Sequence, residues 1–355
     1  MSRNYVVSRN RRIGLRQKTP FDTLSTMPIL KDIPYIIDNP GDFQIQDLGQ
    51  NNPDRYIYPG DSIKYELDSE LVVLYDTLQN LFFKSSDIYY ADMDMLPMWT
   101  QYAGQNSDFN ISAETFQKLI TDDNSTKIPN LYKHLYLVDC QFLVGTIQNL
   151  LCSMEDAFIR YYIMLTNLEA AEKIYQKAET EIDTNTNTIC IMSEISRSTS
   201  SLLETYFTKA YSILDIICKI CYEFQNKNED FKSYKKIKST KILWGDRKNL
   251  LINGARGTLF EPCDLIRTIE SLRNESVHNG TWELNPKIFV HFKNNIVVER
   301  FMLFPDMFQG RLITVKGRKH FFNMGIKVND VLPHFHIEFK NRLLNTIYLL
   351  NGKKF

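Results

Sequence analysis

The chain has 355 residues, an apolar fraction of 43% and equal numbers of basic (42) and acidic (42) side chains. That length can bury a sizeable core and hold one large domain or two or three small ones. Zero formal net charge excludes a uniformly basic nucleic-acid coat, so any nucleic-acid surface must come from local segregation of charge. Six cysteines in so long a chain do not form a disulfide framework, and no stretch approaches the ~18 apolar residues of a membrane span. The N-terminal arginines have no apolar run behind them, unlike a secretory signal. The expected setting is a reducing cytoplasm, with no membrane as partner.

Residues 1–18 carry six basic side chains and no acid, and six prolines punctuate residues 1–60. A basic arm and extended strap are expected over 1–65. The arm can touch RNA, pack across a partner subunit or stay unstructured. A helical region follows over 66–135, with a first helix at 69–83 whose face carries Leu71, Val72, Tyr75, Leu78 and Phe82. A long helix is expected over 138–182, then a polar break at 183–188 and a second long helix over 193–225. Two such helices usually form an antiparallel pair. The segment 227–248 holds eight lysines or arginines against three acids. A helix over 262–279 comes next, with Pro262 at its first turn and Gly280 as its stop. Four β-favouring runs (287–292, 295–304, 311–316 and 321–328) precede a closing helix over 332–350. The whole reads as mainly α: a helical bundle over 136–285, an irregular N-terminal extension, and a small antiparallel β-rich insertion in 286–355 before the last helix.

The helix at 262–279 carries the chemistry. At ~100° per residue, Leu265, Ile266, Ile269 and Leu272 form its buried face, and Arg267, Glu270, Asn274 and His278 lie opposite. Arg273 sits at the edge of the apolar face, where a charge needs a partner. Arginine holds phosphate and imidazole moves protons near neutral pH, so Arg273, Asn274 and His278 are candidates for RNA chemistry. The plainer reading makes Arg273 a salt-bridge partner of Glu270 or Asp264, and His278 a C-terminal residue favoured by the helix dipole. On an ideal helix Arg273 and His278 point ~140° apart. Sharing one phosphate then needs the helix to end near Ser276, or two chains to pair.

The string Leu272-Arg273-Asn274-Glu275-Ser276-Val277-His278-Asn279-Gly280 resembles the signature of the HEPN superfamily, helical ribonucleases and RNA-binding modules. That motif is an arginine, four to six residues, then a histidine, often with a polar residue after the arginine. The resemblance covers about 138–283. It implies a homodimer that cleaves RNA without a metal or cofactor, by attack of the ribose 2′-hydroxyl. Arg273 and His278 would be catalytic, with Asn274 supporting. It further implies a toxin or antiviral-defence effector acting on tRNA or mRNA in abortive infection, restrained by an antitoxin or regulatory protein. Its non-catalytic counterpart is a module binding protein, RNA or nucleotide. Some relatives carry a modified tyrosine two residues after the histidine; here that position is Gly280, which speaks against such control.

The basic segment offers Lys232, Lys235, Lys236, Lys238 and Lys241 as RNA contacts, with Phe231, Tyr234 and Trp244 able to stack on bases. A solvated loop is the alternative. Cys218 and Cys221 form a CxxC inside an apolar helical pattern and read as buried thiols before redox or metal ligands. His334 and His336 alternate without a nearby Cys/His cluster, so no metal site is assigned.

Overall fold

The computed structural model describes residues 46–47, 56–57, 62–101, 104–107, 111–121, 127–166, 168, 188–237, 242–293, 296–317 and 319–353. Nearly all of the expected arm and strap, and of the helix extension over 167–182, lies outside these. The described chain is mainly helical, with a small antiparallel sheet region near its C-terminus. It divides into two compact units, each built from separated stretches.

The first unit comprises 1–62, 151–211 and 262–341. Its sheet joins β3 (Thr188–Ile191), β4 (Ile288–Lys293) and β5 (Ile296–Phe301), with β1 (Gln46–Asp47) and β2 (Tyr56–Ile57) forming a separate short pair. β3 starts on the last residue of the polar break expected at 183–188 and runs through residues for which no element had been expected. Its alternation of Ile189 and Ile191 suits a strand, and it pairs antiparallel with β4 from Thr188↔His291 to Ile191↔Ile288. Two smaller hairpins follow: β6 (Met307–Phe308) with β7 (Arg311–Leu312), and β8 (Thr314–Val315) with β9 (Lys319–His320). The buried carboxylate of Asp306 ties this segment together by accepting the backbone N–H groups of Asn323 and Met324, both at 2.9 Å.

Parts of three long helices complete this unit: α4 (Leu131–Thr166), α5 (Glu194–Gln225) and α7 (Val328–Leu350). Phe207 of α5 meets Trp282 and Phe335 edge-on, at 6.0 and 6.1 Å between ring centroids. Lys340 is buried with Glu155, Nζ to Oε1 at 3.4 Å, and the His336 ring stacks on Phe158 at 4.4 Å. Burial is tolerable for these charges because they are paired. By length and composition alone Leu131–Leu165 is long and apolar enough to cross a membrane, although it contains no unbroken apolar run of that length. Averaging over a window forgives the interspersed polar residues, and those include Glu155, held in this ion pair.

The second unit comprises 63–150, 212–261 and 342–355. It contains α1 (Ser62–Phe82), α2 (Ser86–Met93) and α3 (Ala113–Thr121), with the remaining parts of α4, α5 and α7. In α1, Leu67, Leu71, Leu74, Leu78 and Phe82 recur at threes and fours and are buried. Val72, expected on that face, is 58% exposed, because it lies one residue round from Leu71. Ser85 caps α2, its Oγ accepting from the Ile88 N–H at 3.3 Å.

Candidate functional site

The motif helix is α6 (Asp264–His278), in the first unit. Cys263 is its N-cap residue in extended conformation, so Pro262 falls just outside rather than in the first turn. Leu265, Ile266, Ile269 and Leu272 are buried as their spacing requires. At the other end Asn279 caps the helix, its N–H reaching the Glu275 carbonyl at 2.9 Å, and Gly280 turns the chain at φ 103°. A left-handed residue directly after the cap is a place for glycine.

Arg273, Asn274 and His278 converge. The Arg273 Nη1 donates to Asn274 Oδ1 at 3.0 Å and lies 3.4 Å from His278 Nε2. A guanidinium only donates, so Nε2 is the acceptor in this contact. The helix continues through His278, so neither early termination nor a second chain is needed to bring the two together. The long arginine stem does it, reaching round the helix where idealised spokes would diverge. Beneath the guanidinium lies the ring of Tyr211 in α5, 4.4 Å from Cζ. Arg273 Nε and Nη2 have no hydrogen-bond partner among the described residues. Asn274 and His278 are exposed, and Arg273 is half-buried.

A cleft of about 350 Å³ opens along the same helix, lined by Arg267, Glu270 and Asn274 on one side and Arg311 and Leu312 on the other. The far wall is the β6–β7 hairpin. Its two-residue turn has Gln309 at φ 49° and Gly310 at φ 74°, the left-handed pair that a tight hairpin favours. Gly310 presses on α6: a Cβ there would meet the Asp264 carbonyl oxygen at 2.5 Å and Arg267 Cβ at 2.7 Å. Ser271 Oγ closes the contact by donating to the Gly310 carbonyl at 3.1 Å. The β8–β9 hairpin is anchored by His320, whose Nδ1 lies 3.0 Å from the Trp282 carbonyl and whose Nε2 faces Glu275 Oε1 at 3.4 Å. Asn279 Nδ2 also donates to Glu275, at 2.9 Å.

Tyr211, Arg311 and His320 escaped the sequence reading because each meets α6 from a distant part of the chain. Glu283 escaped it too: burial pushes its carboxyl up to about 7, partly offset by Lys287 at 3.8 Å. Arg267 pairs with Asp264 at 3.1 Å, so that acid is not held by Arg273.

The basic segment belongs to the second unit. Lys232 and Lys236 are exposed, and Lys235 Nζ donates to Asn228 Oδ1 at 3.2 Å. Lys238 and Lys241 lie outside the described residues. Its aromatic residues are not the free base platforms expected. Trp244 is fully buried against Phe260, Phe231 packs edge-on to Phe82 and Tyr136, and Tyr234 donates to Asp139. Cys218 and Cys221 are buried, and desolvation pushes both thiols up, away from reactivity.

No family model, curated protein or solved structure matches this chain.

Proposed function

We propose that this chain is a metal-independent endoribonuclease of HEPN type, with Arg273 and His278 catalytic and Asn274 supporting. One observation carries the reading: the contacts of Arg273 with His278 Nε2 and Asn274 at the exposed end of a capped helix. Arginine fixed by an amide, with Nε and Nη2 lacking a hydrogen-bond partner among the described residues, is suited to a bidentate grip on a phosphate. His278 presents an acceptor nitrogen beside it, the form a general base needs.

In the proposed reaction, the scissile phosphate draws Arg273 towards its oxygens and leaves Nε2 to take the proton of the 2′-hydroxyl. The 2′-oxygen bonds to phosphorus and the bond from phosphorus to the 5′-oxygen breaks. That oxygen leaves with a proton from the second His278 of a paired chain. The products are a 2′,3′-cyclic phosphate and a 5′-hydroxyl. Arg273 stabilises the charge that builds on the phosphoryl oxygens.

RNA cleavage by the purified chain in EDTA tests this. We expect cyclic-phosphate ends, with rates at least about a hundredfold lower in His278→Ala and Arg273→Ala and melting unchanged in both. Cleavage that survives both substitutions would rule out the assignment. The cellular role proposed is that of a cytoplasmic toxin or antiviral-defence effector acting on tRNA or mRNA and held in check by a partner protein. Growth arrest on expression, relieved by His278→Ala, is its signature. The open cleft beside the motif supports a second reading, a module that binds RNA, nucleotide or protein without cutting.

A further inference from the structure

We infer that the cleft beside the motif is a base-reading subsite that takes a guanine nucleotide adjoining the scissile phosphate. The inference rests on the ribonuclease reading for the word scissile, and on the geometry of the cleft for the rest. Arg267, Asn274 and His278 fall on one stripe of α6, with Asn274 and His278 each within about 20° of Arg267 by helical arithmetic. Asn274 therefore belongs to both places: it lines the cleft and accepts from Arg273. A strand whose phosphate sits at Arg273 and His278 has its neighbouring nucleotide one helical turn away, about 5–6 Å, in the cleft.

The lining selects among bases. The space, about 350 Å³, suits one nucleotide, and Leu312 supplies an apolar surface for a ring. Arginine and carboxylate stand together in it: Arg267 and Glu270 from the helix, Arg311 from the hairpin. Guanine alone among the four bases offers an adjacent acceptor pair, O6 and N7, together with an adjacent donor pair on its opposite edge, N1–H and the exocyclic amine. Arginine is the natural partner of the first pair, and a carboxylate, whose two oxygens only accept, of the second. The cleft is also built rather than incidental. Gly310 and Ser271 lock the hairpin on to α6, and buried Glu275 accepts from Asn279 Nδ2 with His320 Nε2 3.4 Å away.

The test is calorimetric binding of guanosine, adenosine, cytidine and uridine 3′-monophosphates to the full chain carrying His278→Ala. Guanosine monophosphate should bind roughly tenfold or more tightly than the others. Arg311→Ala and Glu270→Gln should each erase that preference. Arg311→Lys keeps the charge without the planar fork, so it should retain general nucleotide affinity and lose selectivity. Arg311 is exposed, so its replacement leaves the fold in place, which melting curves verify. Equal binding of all four nucleotides, no binding of any, or a guanine preference that persists without Arg311 would each overturn the inference. Cleavage by the natural sequence is scored separately. Guanine-selective binding without cleavage sinks the nuclease and keeps the subsite, whereas cleavage without base preference does the reverse.

Discussion

At the scale of single residues, the guanidinium of Arg273 is held by three groups: the Tyr211 ring below, Asn274 beside it and His278 ahead. The ring orients the planar guanidinium, so its loss should weaken transition-state stabilisation more than substrate binding. Tyr211→Ala should lower kcat by about threefold to thirtyfold with melting unchanged, and Tyr211→Phe, which keeps the face, should restore most of it. A drop confined to KM, or one that Phe does not rescue, would show that the ring does not position Arg273. The three motif residues were legible in the sequence as a string. Their convergence was not, because helical angles locate Cβ atoms and ignore the reach of a long side chain. Tyr211 lies 62 positions before Arg273, one residue beyond the core stripe of its helix, and nothing local marks it.

At the scale of elements, the lock between the β6–β7 turn and α6 depends on a missing side chain. Gly310→Ala adds a Cβ against backbone that cannot yield, at a φ alanine tolerates poorly. We expect it to destabilise the fold by at least about 1 kcal/mol, seen as a melting temperature lower by roughly 2 °C or more. An unchanged melt would mean the hairpin moves freely off the helix, and the cleft would lose its fixed wall. Helical periodicity made α1, α4, α5, α6 and α7 legible, because an apolar residue every third or fourth position has few other readings. Their ends were less so. The first helix starts at Ser62, seven residues before its expected start, since the turns ahead of Leu71 are mostly polar and continue its stripe only through Ile63 and Leu67. β3 was illegible for another reason: four residues carry too little pattern, and the partner strand is remote in sequence.

At the scale of the molecule, the proposed reaction needs two histidines, and each chain contributes one at this site. Light scattering of the active enzyme should therefore give twice the chain mass of 41.7 kDa. A fully active species of single mass would require the proton for the leaving oxygen to come from another group. Apolar periodicity foretold a mainly helical chain, as the described residues are. It could not foretell a division whose boundaries fall inside α4, α5 and α7, where no change of composition marks them. The pairing of β3 with β4 also sets an order of events on the ribosome. The two strands lie about a hundred residues apart, and α6 is made between them. At ~5–20 residues per second, β3 waits roughly 5–20 s for its partner. Through that interval Ile191, wholly enclosed in the finished protein, has no sheet to enter. The nascent chain carries Arg273 and His278 before β4 and the hairpins beside α6 exist, so a stalled or truncated product has the motif without the far wall of its cleft.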